Sequence, residues 1–309
     1  VTAAVARPSR RGAGRGSIEP APGALLLWLR VKIATKQAEM AALSRRWLAR
    51  GETIGFVPTM GALHEGHASL IRRARQENRR VVVSIFVNPA QFGPTEDFSR
   101  YPRTFAADAG LCKAEGADAV YHPGVEEVYP PGFSTFVDPG PLAQPLDGRF
   151  RPGHFRGVAT VVAKLLNTVR PTRAYFGEKD FQQLAVIRRM TLDLDLGVAI
   201  EGCATVREPD GLALSSRNIY LSPAERRASP AIHETLRLAA RLLREGKTPK
   251  AALAQAARHL RKHLPEAKVD YLELVDAATL QPLDAPAGRM RLLAAVRVGK
   301  TRLIDNIAA

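Results

Sequence analysis

Apolar and polar positions along this chain follow two different periods, and from residue 53 onward the periods alternate. Thr53-Ile54-Gly55-Phe56-Val57 is a short, nearly continuous apolar run and predicts a buried strand. Leu70, Ile71 and Ala74 then fall on one face of a helix predicted over 67–79. The run VVVSIFV at 81–87 predicts a second buried strand, and a helical pattern over 104–115 leads to a strand at 118–121. A longer helix at 155–169 feeds a strand at 173–176, followed by a helix at 180–190 and a strand near 197–205. One further helix, near 34–50, precedes the series. This alternation predicts an α/β fold with a mostly parallel sheet covered on both faces. Ligands of such sheets bind beyond the C-terminal ends of the strands.

The rest of the chain reads differently. Residues 123–153 are rich in Pro and Gly and suit a flap or an interdomain surface better than a parallel strand. Helical patterns recur at 230–245 and 249–263, and alternating stretches near 268–276, 290–298 and 301–305 predict a small antiparallel sheet. The expected organisation is an extension over 1–30, a catalytic domain over 31–206 and a C-terminal α+β domain over 207–309.

Charge changes this picture little. The net charge is +15, and residues 1–50 alone hold ten of the basic and two of the acidic side chains. The remainder reads as spread over the other 259 residues, so neither a dedicated nucleic-acid surface nor a membrane partner is expected. The first 23 residues, rich in Arg, Ala, Gly, Pro and Ser, have the composition of a disordered segment; a transit peptide and a translated upstream extension remain open readings. The longest early apolar run, over 24–29, is too short to span a bilayer. Cys112 and Cys203 form neither a close pair nor a zinc-ligand cluster and fit a reduced, cytoplasmic protein.

The candidate chemistry sits at strand ends. Pro58-Thr59-Met60-Gly61 leaves the first buried strand and runs into His64-Glu65-Gly66-His67, which puts two imidazoles at the first turn of a helix. Free backbone N–H groups there favour an anion, and an imidazole donates one hydrogen bond when neutral and two when charged. Zinc would need further ligands that do not accompany the pair. Lys179 and Asp180 lie where Tyr175-Phe176-Gly177 leaves another strand; locally, a phosphate-binding lysine and a surface lysine beside a helix-capping Asp are both open. Ser215-Ser216-Arg217-Asn218 is either a second phosphate-binding segment or an ordinary polar loop. Gln91 and Gln183 each offer a donor and an acceptor, suited to a ligand with hydroxyl and carboxylate groups, while Gln182 should point elsewhere on the same helix. His154, Arg151 and Arg156 are candidates for anion contact or for salt bridges, Tyr101 and Arg103 for support of the site. Asp108 is a candidate for a metal–phosphate complex or an exposed helix carboxylate.

Taken together, PTMGALHEGH at 58–67, FVNPAQF at 86–92, YPRT at 101–104, RPGHFRGVATVVAKL at 151–165, FGEKDFQQL at 176–184 and VREPDGLALSSRN at 206–218 resemble the pantothenate synthetase (pantoate–β-alanine ligase) family. The motifs run in family order across most of residues 53–220; the last hundred residues carry less specific signal. The resemblance implies a Rossmann-type, nucleotidyltransferase-like catalytic domain and condensation of pantoate with β-alanine at the expense of ATP and Mg²⁺, through a pantoyl adenylate. It implies catalytic roles for His64, His67, Lys179 and Arg217. It implies ATP contacts from these and from Met60, Gly66, Gly177, Asp180, Val206, Leu214, Ser215 and Ser216. Met60, Gln91 and Gln183 would surround pantoate, and Asn88 would position nucleotide or the second substrate. The metal shell stays unknown, and a homodimer is implied. One departure is Leu214, where the family often has Met; apolar bulk is kept. A cytidylyl- or adenylyltransferase sharing only the nucleotide site is the alternative enzyme, and a nucleotide-regulated or RNA-associated binding protein the alternative class.

Overall fold

The computed structural model describes residues 31–94 and 96–309, so the extension expected over 1–30 lies outside the described residues. From the N-terminal side the chain forms β1 (Lys32–Ala34), α1 (Gln37–Leu48), β2 (Ile54–Thr59), α2 (Glu65–Glu77) and β3 (Arg80–Ile85). It continues with α3 (Phe105–Ala114), β4 (Ala119–Tyr121), α4 (Val125–Val128), α5 (Asp147–Phe150) and α6 (His154–Val169). β5 (Arg173–Gly177), α7 (Phe181–Asp193) and β6 (Ala199–Cys203) complete a six-stranded parallel sheet of order β1-β4-β3-β2-β5-β6. After β2 the strands advance through β3 to β4 on one side, whereas β5 and β6 add on the other. The order therefore reverses between β2 and β5, and a crevice opens at their C-terminal ends. Those ends carry the His64–His67 and Lys179 motifs.

The strands are apolar runs because helices cover both faces. Ile54, Phe56, Val82 and Ala174 pack into one buried cluster with α1 and α6, and Val57, Val81, Val83 and Val120 into another with α2. Helix α6 is buried along most of its length, consistent with a sequence whose apolar positions, after its first residue, are interrupted only by Arg156, Lys164, Asn167 and a few small or hydroxyl side chains. Gly157 lets it approach the turn that carries Gln91: a Cβ there would lie 2.1 Å from the carbonyl oxygen of Ala90.

Beyond β6 come α8 (Pro223–Ala228), α9 (Ala231–Arg244), α10 (Pro249–His263) and an antiparallel sheet of β7 (Lys268–Asp276), β8 (Met290–Val298) and β9 (Thr301–Ala308). α9 and α10 cover one face of this sheet. Its other face packs through Tyr271, Leu293 and Ile304 against Leu146 and Phe181, so the two sheets share an apolar seam. The positive charge outside residues 1–50 is less evenly spread than the composition suggests. Residues 223–264 hold ten basic and three acidic side chains, including the exposed stripe Arg237, Arg241 and Arg244 on α9. None of these lines the crevice of the parallel sheet.

Replacing Gly157 by Ala is expected to destabilise the fold by about 1–3 kcal/mol, because backbone rather than a mobile side chain blocks the added methyl. Urea unfolding measures this, and an unchanged midpoint would contradict the close approach.

Candidate active site

The β2–α2 turn is an unusual piece of backbone. Gly61 has φ +84°, and the next residue, Ala62, is also left-handed at φ +51°, which costs a non-glycine residue about 1–2 kcal/mol. Asp108 of α3 offsets this. Its carboxylate accepts from Ala62 N–H at 3.0 Å, from Leu63 N–H at 2.8 Å and from the Thr104 hydroxyl at 3.2 Å. Asp108 is buried, so it is not the exposed helix carboxylate considered from sequence, and it does not line the crevice. It shapes the turn that leads to His64.

His64 is the N-cap of α2, which is why the helix begins at Glu65 rather than at 67. Its Nδ1 accepts from Gly66 N–H at 3.1 Å, and the Nδ1 of His67 accepts from His64 N–H at 3.3 Å. Two imidazoles thus satisfy amides that Ser and Glu satisfy in an ordinary capping box. A Cβ on Gly66 would come within 2.8 Å of the His64 ring, so glycine makes room for the cap. Because both Nδ1 atoms accept, the protons sit on Nε2. Burial, then the charge of Lys179, lowers the His64 pKa to about 4; burial, then His64 and Lys179, lowers that of His67 to about 3. In this structure both are neutral at pH 7, each with one Nε2–H donor left. Among the described residues neither Nε2 has a hydrogen-bond partner, and both rings face the crevice.

Across the crevice, Glu178–Asp180 forms a single 3-10 turn between β5 and α7. The Lys179 ammonium lies 3.8 Å from the Asp180 carboxylate. Gln183 faces the cavity, whereas Gln182 turns away as expected. The Gln182 side chain accepts from Asp147 N–H at 3.0 Å and donates to the carbonyls of Leu142 and Pro145. The third wall is the 206–217 segment, where Leu214 N–H donates to Val206 O at 3.0 Å. Ser215 caps the next turn by accepting from Arg217 N–H at 3.2 Å, and the Ser216 and Tyr101 hydroxyls are 3.2 Å apart. Arg217 is held by Asp97, with Nε and Nη2 each 3.1 Å from a carboxylate oxygen.

Gln91 closes the fourth side. Asn88 donates to Gln91 Oε1 at 2.9 Å and to Gly157 O at 3.1 Å, while its own oxygen accepts from Tyr129 OH at 2.7 Å. Gln91 Nε2 therefore turns to the Met60 sulfur, 3.1 Å away, and presents a donor. His154 donates from Nδ1 to Gln91 O at 2.8 Å and accepts from Arg151 at 2.9 Å, and Arg151 pairs with Glu96 at 2.7 Å. Arg151 and His154 thus line the cavity while already committed to protein partners. Arg103 binds the carbonyls of 98, 99 and 101, and Arg156 sits 3.8 Å over the Phe136 ring; neither lines the cavity.

Every residue assigned from sequence to ATP or pantoate lines one cavity of about 220 Å³. A neighbouring cavity of about 410 Å³, reaching the antiparallel sheet, shares Lys179, Gln183 and Arg217 with it. Asp97 was missed from sequence: nothing local marks it as the partner of Arg217.

His154 is pushed down to about 4 by burial, then by Arg151. Its unfolded form takes up a proton near pH 6.5, so its contribution to stability is present above pH 6.5 and is lost as pH falls toward 4. Between pH 7 and pH 5 the His154→Gln variant is expected to lose about 1–2 kcal/mol less stability than the parent chain. Urea titrations at both pH values decide this; equal losses would mean that His154 is charged in the folded protein.

The family model described as pantoate-beta-alanine ligase matches residues 32–308. The pantothenate synthetase of Thermotoga neapolitana is 53% identical over 87% of this chain and 96% of its own length. That of Roseiflexus castenholzii is 57% identical over 82% and 91% respectively. Among solved structures, pantothenate synthetase from Thermus thermophilus superposes with a TM-score of 0.85 at 48% identity, covering 90% of this chain and 99% of that one. Pantoate-beta-alanine ligase from Francisella tularensis, solved with beta-gamma ATP and beta-alanine, gives a TM-score of 0.76 at 36% identity over 90% and 98%. With its crevice at the β2–β5 reversal and its length matched almost throughout, this chain belongs to the pantoate–β-alanine ligase family.

Proposed function

We propose that the cavity activates pantoate as an acyl adenylate and passes it to β-alanine. A pantoate carboxylate oxygen attacks the α-phosphorus of ATP, and the bond to pyrophosphate breaks. The β-alanine nitrogen then attacks the acyl carbon and loses a proton, and the C–O bond to AMP breaks. The observation that carries this reading is the pair of uncommitted Nε2–H donors on neutral His64 and His67, facing Lys179 across a cavity that also holds Gln91 and Gln183.

In this reading His64, His67 and Lys179 stabilise charge on the phosphates, with Ser215, Ser216 and Arg217 at the far end of the nucleotide. Gly66, Gly177, Asp180, Val206 and Leu214 shape its pocket. Met60 and the Gln91 amide receive pantoate opposite Gln183. The chemistry is positioning and fixed electrostatics, with no covalent enzyme intermediate. Neutral imidazoles suit this role, because they donate to phosphate while leaving the local positive charge to Lys179 and Arg217. Mg²⁺ accompanies ATP in this proposal. Among the described residues no group of three His, Cys, Asp or Glu is disposed to hold a metal ion. The triphosphate and water would hold most of its shell, with the cavity-lining Asp180 carboxylate available to it. We also expect a cytoplasmic homodimer, with the catalytic and C-terminal domains meeting near residue 206.

Mass spectrometry of reactions with ATP, Mg²⁺, pantoate and β-alanine, and with each omitted in turn, tests the reading. Pantothenate and AMP in equal amounts, dependent on all three substrates, is the expected result. Pyrophosphate release without amide formation would retain acid activation and reject the acceptor. Lys179→Ala should lower the rate of adenylate formation about 10²–10³-fold while pantoate binding persists, and near-normal single-turnover adenylation would remove Lys179 from the mechanism. Gln183→Ala should raise the pantoate KM about 10–100-fold, the cost of an unmet polar contact of about 1–3 kcal/mol; unchanged affinity and discrimination would reject that assignment.

A further inference from the structure

Lys179 stands on a turn of three residues, Glu178–Asp180, between β5 and α7. Two of its carbonyls are bonded from the far end of the chain. Asn306 of β9 is buried, and its Nδ2 donates to the carbonyls of both Glu178, at 2.9 Å, and Lys179, at 2.8 Å. The orientation of this amide is unambiguous, because its Oδ1 accepts from Arg291 Nε at 2.7 Å and a guanidinium only donates. Arg291 also pairs with the Glu178 carboxylate at 2.9 Å and stacks 4.3 Å above the Phe181 ring. The turn is therefore gripped at two carbonyls, one side chain and the first residue of α7.

The neighbouring residue grips the 206–217 wall. Asp305 accepts from Arg207 through both oxygens, at 2.7 and 2.8 Å, and from the Asn306 N–H at 2.7 Å. Arg207 follows Val206 and pairs with Ala213 in an isolated antiparallel bridge, two residues before Ser215. Two consecutive residues of one strand thus tie together the Lys179 turn and the Ser215–Arg217 segment. We propose that Asn306 is a positioning residue for Lys179. By bonding the carbonyls of Glu178 and Lys179 it turns their negative ends toward β9 and fixes where the ammonium stands. It does not line the 220 Å³ cavity, although it borders the neighbouring 410 Å³ one, and its side-chain nitrogen and oxygen are both committed to protein partners. The inference rests on the proposed role of Lys179 in adenylation.

Pantoate-dependent ATP–pyrophosphate exchange and single-turnover adenylation test it on the full chain. Asn306→Ala should slow adenylation about 10–100-fold, the scale of a displacement of about 1 Å at a reacting group, with the pantoate KM changed less than about twofold. In a Lys179→Ala background the same substitution should cost less than about threefold more, because a residue acting through Lys179 has nothing left to act on. Wild-type exchange by Asn306→Ala, or losses that multiply in the double variant, would overturn the proposal. Asn306→Ser, which keeps a small donor, should recover part of the rate. If both single variants fail to fold by circular dichroism, Asn306 is a folding residue and the positioning claim is wrong. Absence of exchange in the parent chain would instead sink the adenylation reading, so the two failures are distinguishable.

Discussion

The site hangs on the carboxylate of Asp108. Without its two bonds to the Ala62 and Leu63 amides, a left-handed alanine next to a left-handed glycine would relax. The chain would then leave β2 at another angle. The carboxylate is also buried, so it cannot release those amides without losing its own partners. Helix α3 and the β2–α2 turn consequently hold one another in place, and His64 and His67 inherit their positions from that lock. The parallel sheet supplies the crevice by reversing its order between β2 and β5; the buried carboxylate determines what points into it.

From that geometry follows the division of electrostatic labour. The imidazoles spend their Nδ1 lone pairs on helix amides, and burial holds them neutral, so they enter the cavity as single donors. Positive charge comes instead from Lys179 and from Arg217, the latter balanced by Asp97. Gln91 is likewise pre-set, since Asn88 claims its oxygen and its nitrogen, beside the Met60 sulfur, keeps a second N–H for a ligand. Such fixed dipoles need little reorganisation when charge moves, which is the condition under which electrostatic catalysis is strongest.

Much of this was legible along the sequence, for a physical reason in each case. Buried parallel strands and amphipathic helices announce themselves by period, and the C-terminal stretches at 268–276 and 290–298 coincide with β7 and β8. β1 was missed because three residues at a sheet edge, only one of them buried, carry no apolar run. Likewise, α4 and α5 are single turns too short for periodicity inside the Pro/Gly-rich stretch. The motif residues at the cavity were legible because each motif is local. Their supports were not: Ala62 meets Asp108 across 46 residues, Arg217 meets Asp97 across 120, and Lys179 meets Asn306 across 127. Those pairings arise only from tertiary packing, as does the neutrality of the histidines.

The most direct measurement is the fate of the pantoate carboxylate oxygen. Pantoate labelled with heavy oxygen in its carboxylate should deliver one labelled atom to AMP during turnover with ATP and β-alanine, because the oxygen that attacks phosphorus leaves with the nucleotide. Mass spectra of AMP carrying that label, with pyrophosphate unlabelled, are the predicted result. Unlabelled AMP alongside full pantothenate formation would mean that the acid is activated by another route, and the arrangement of donors described here would need a different purpose.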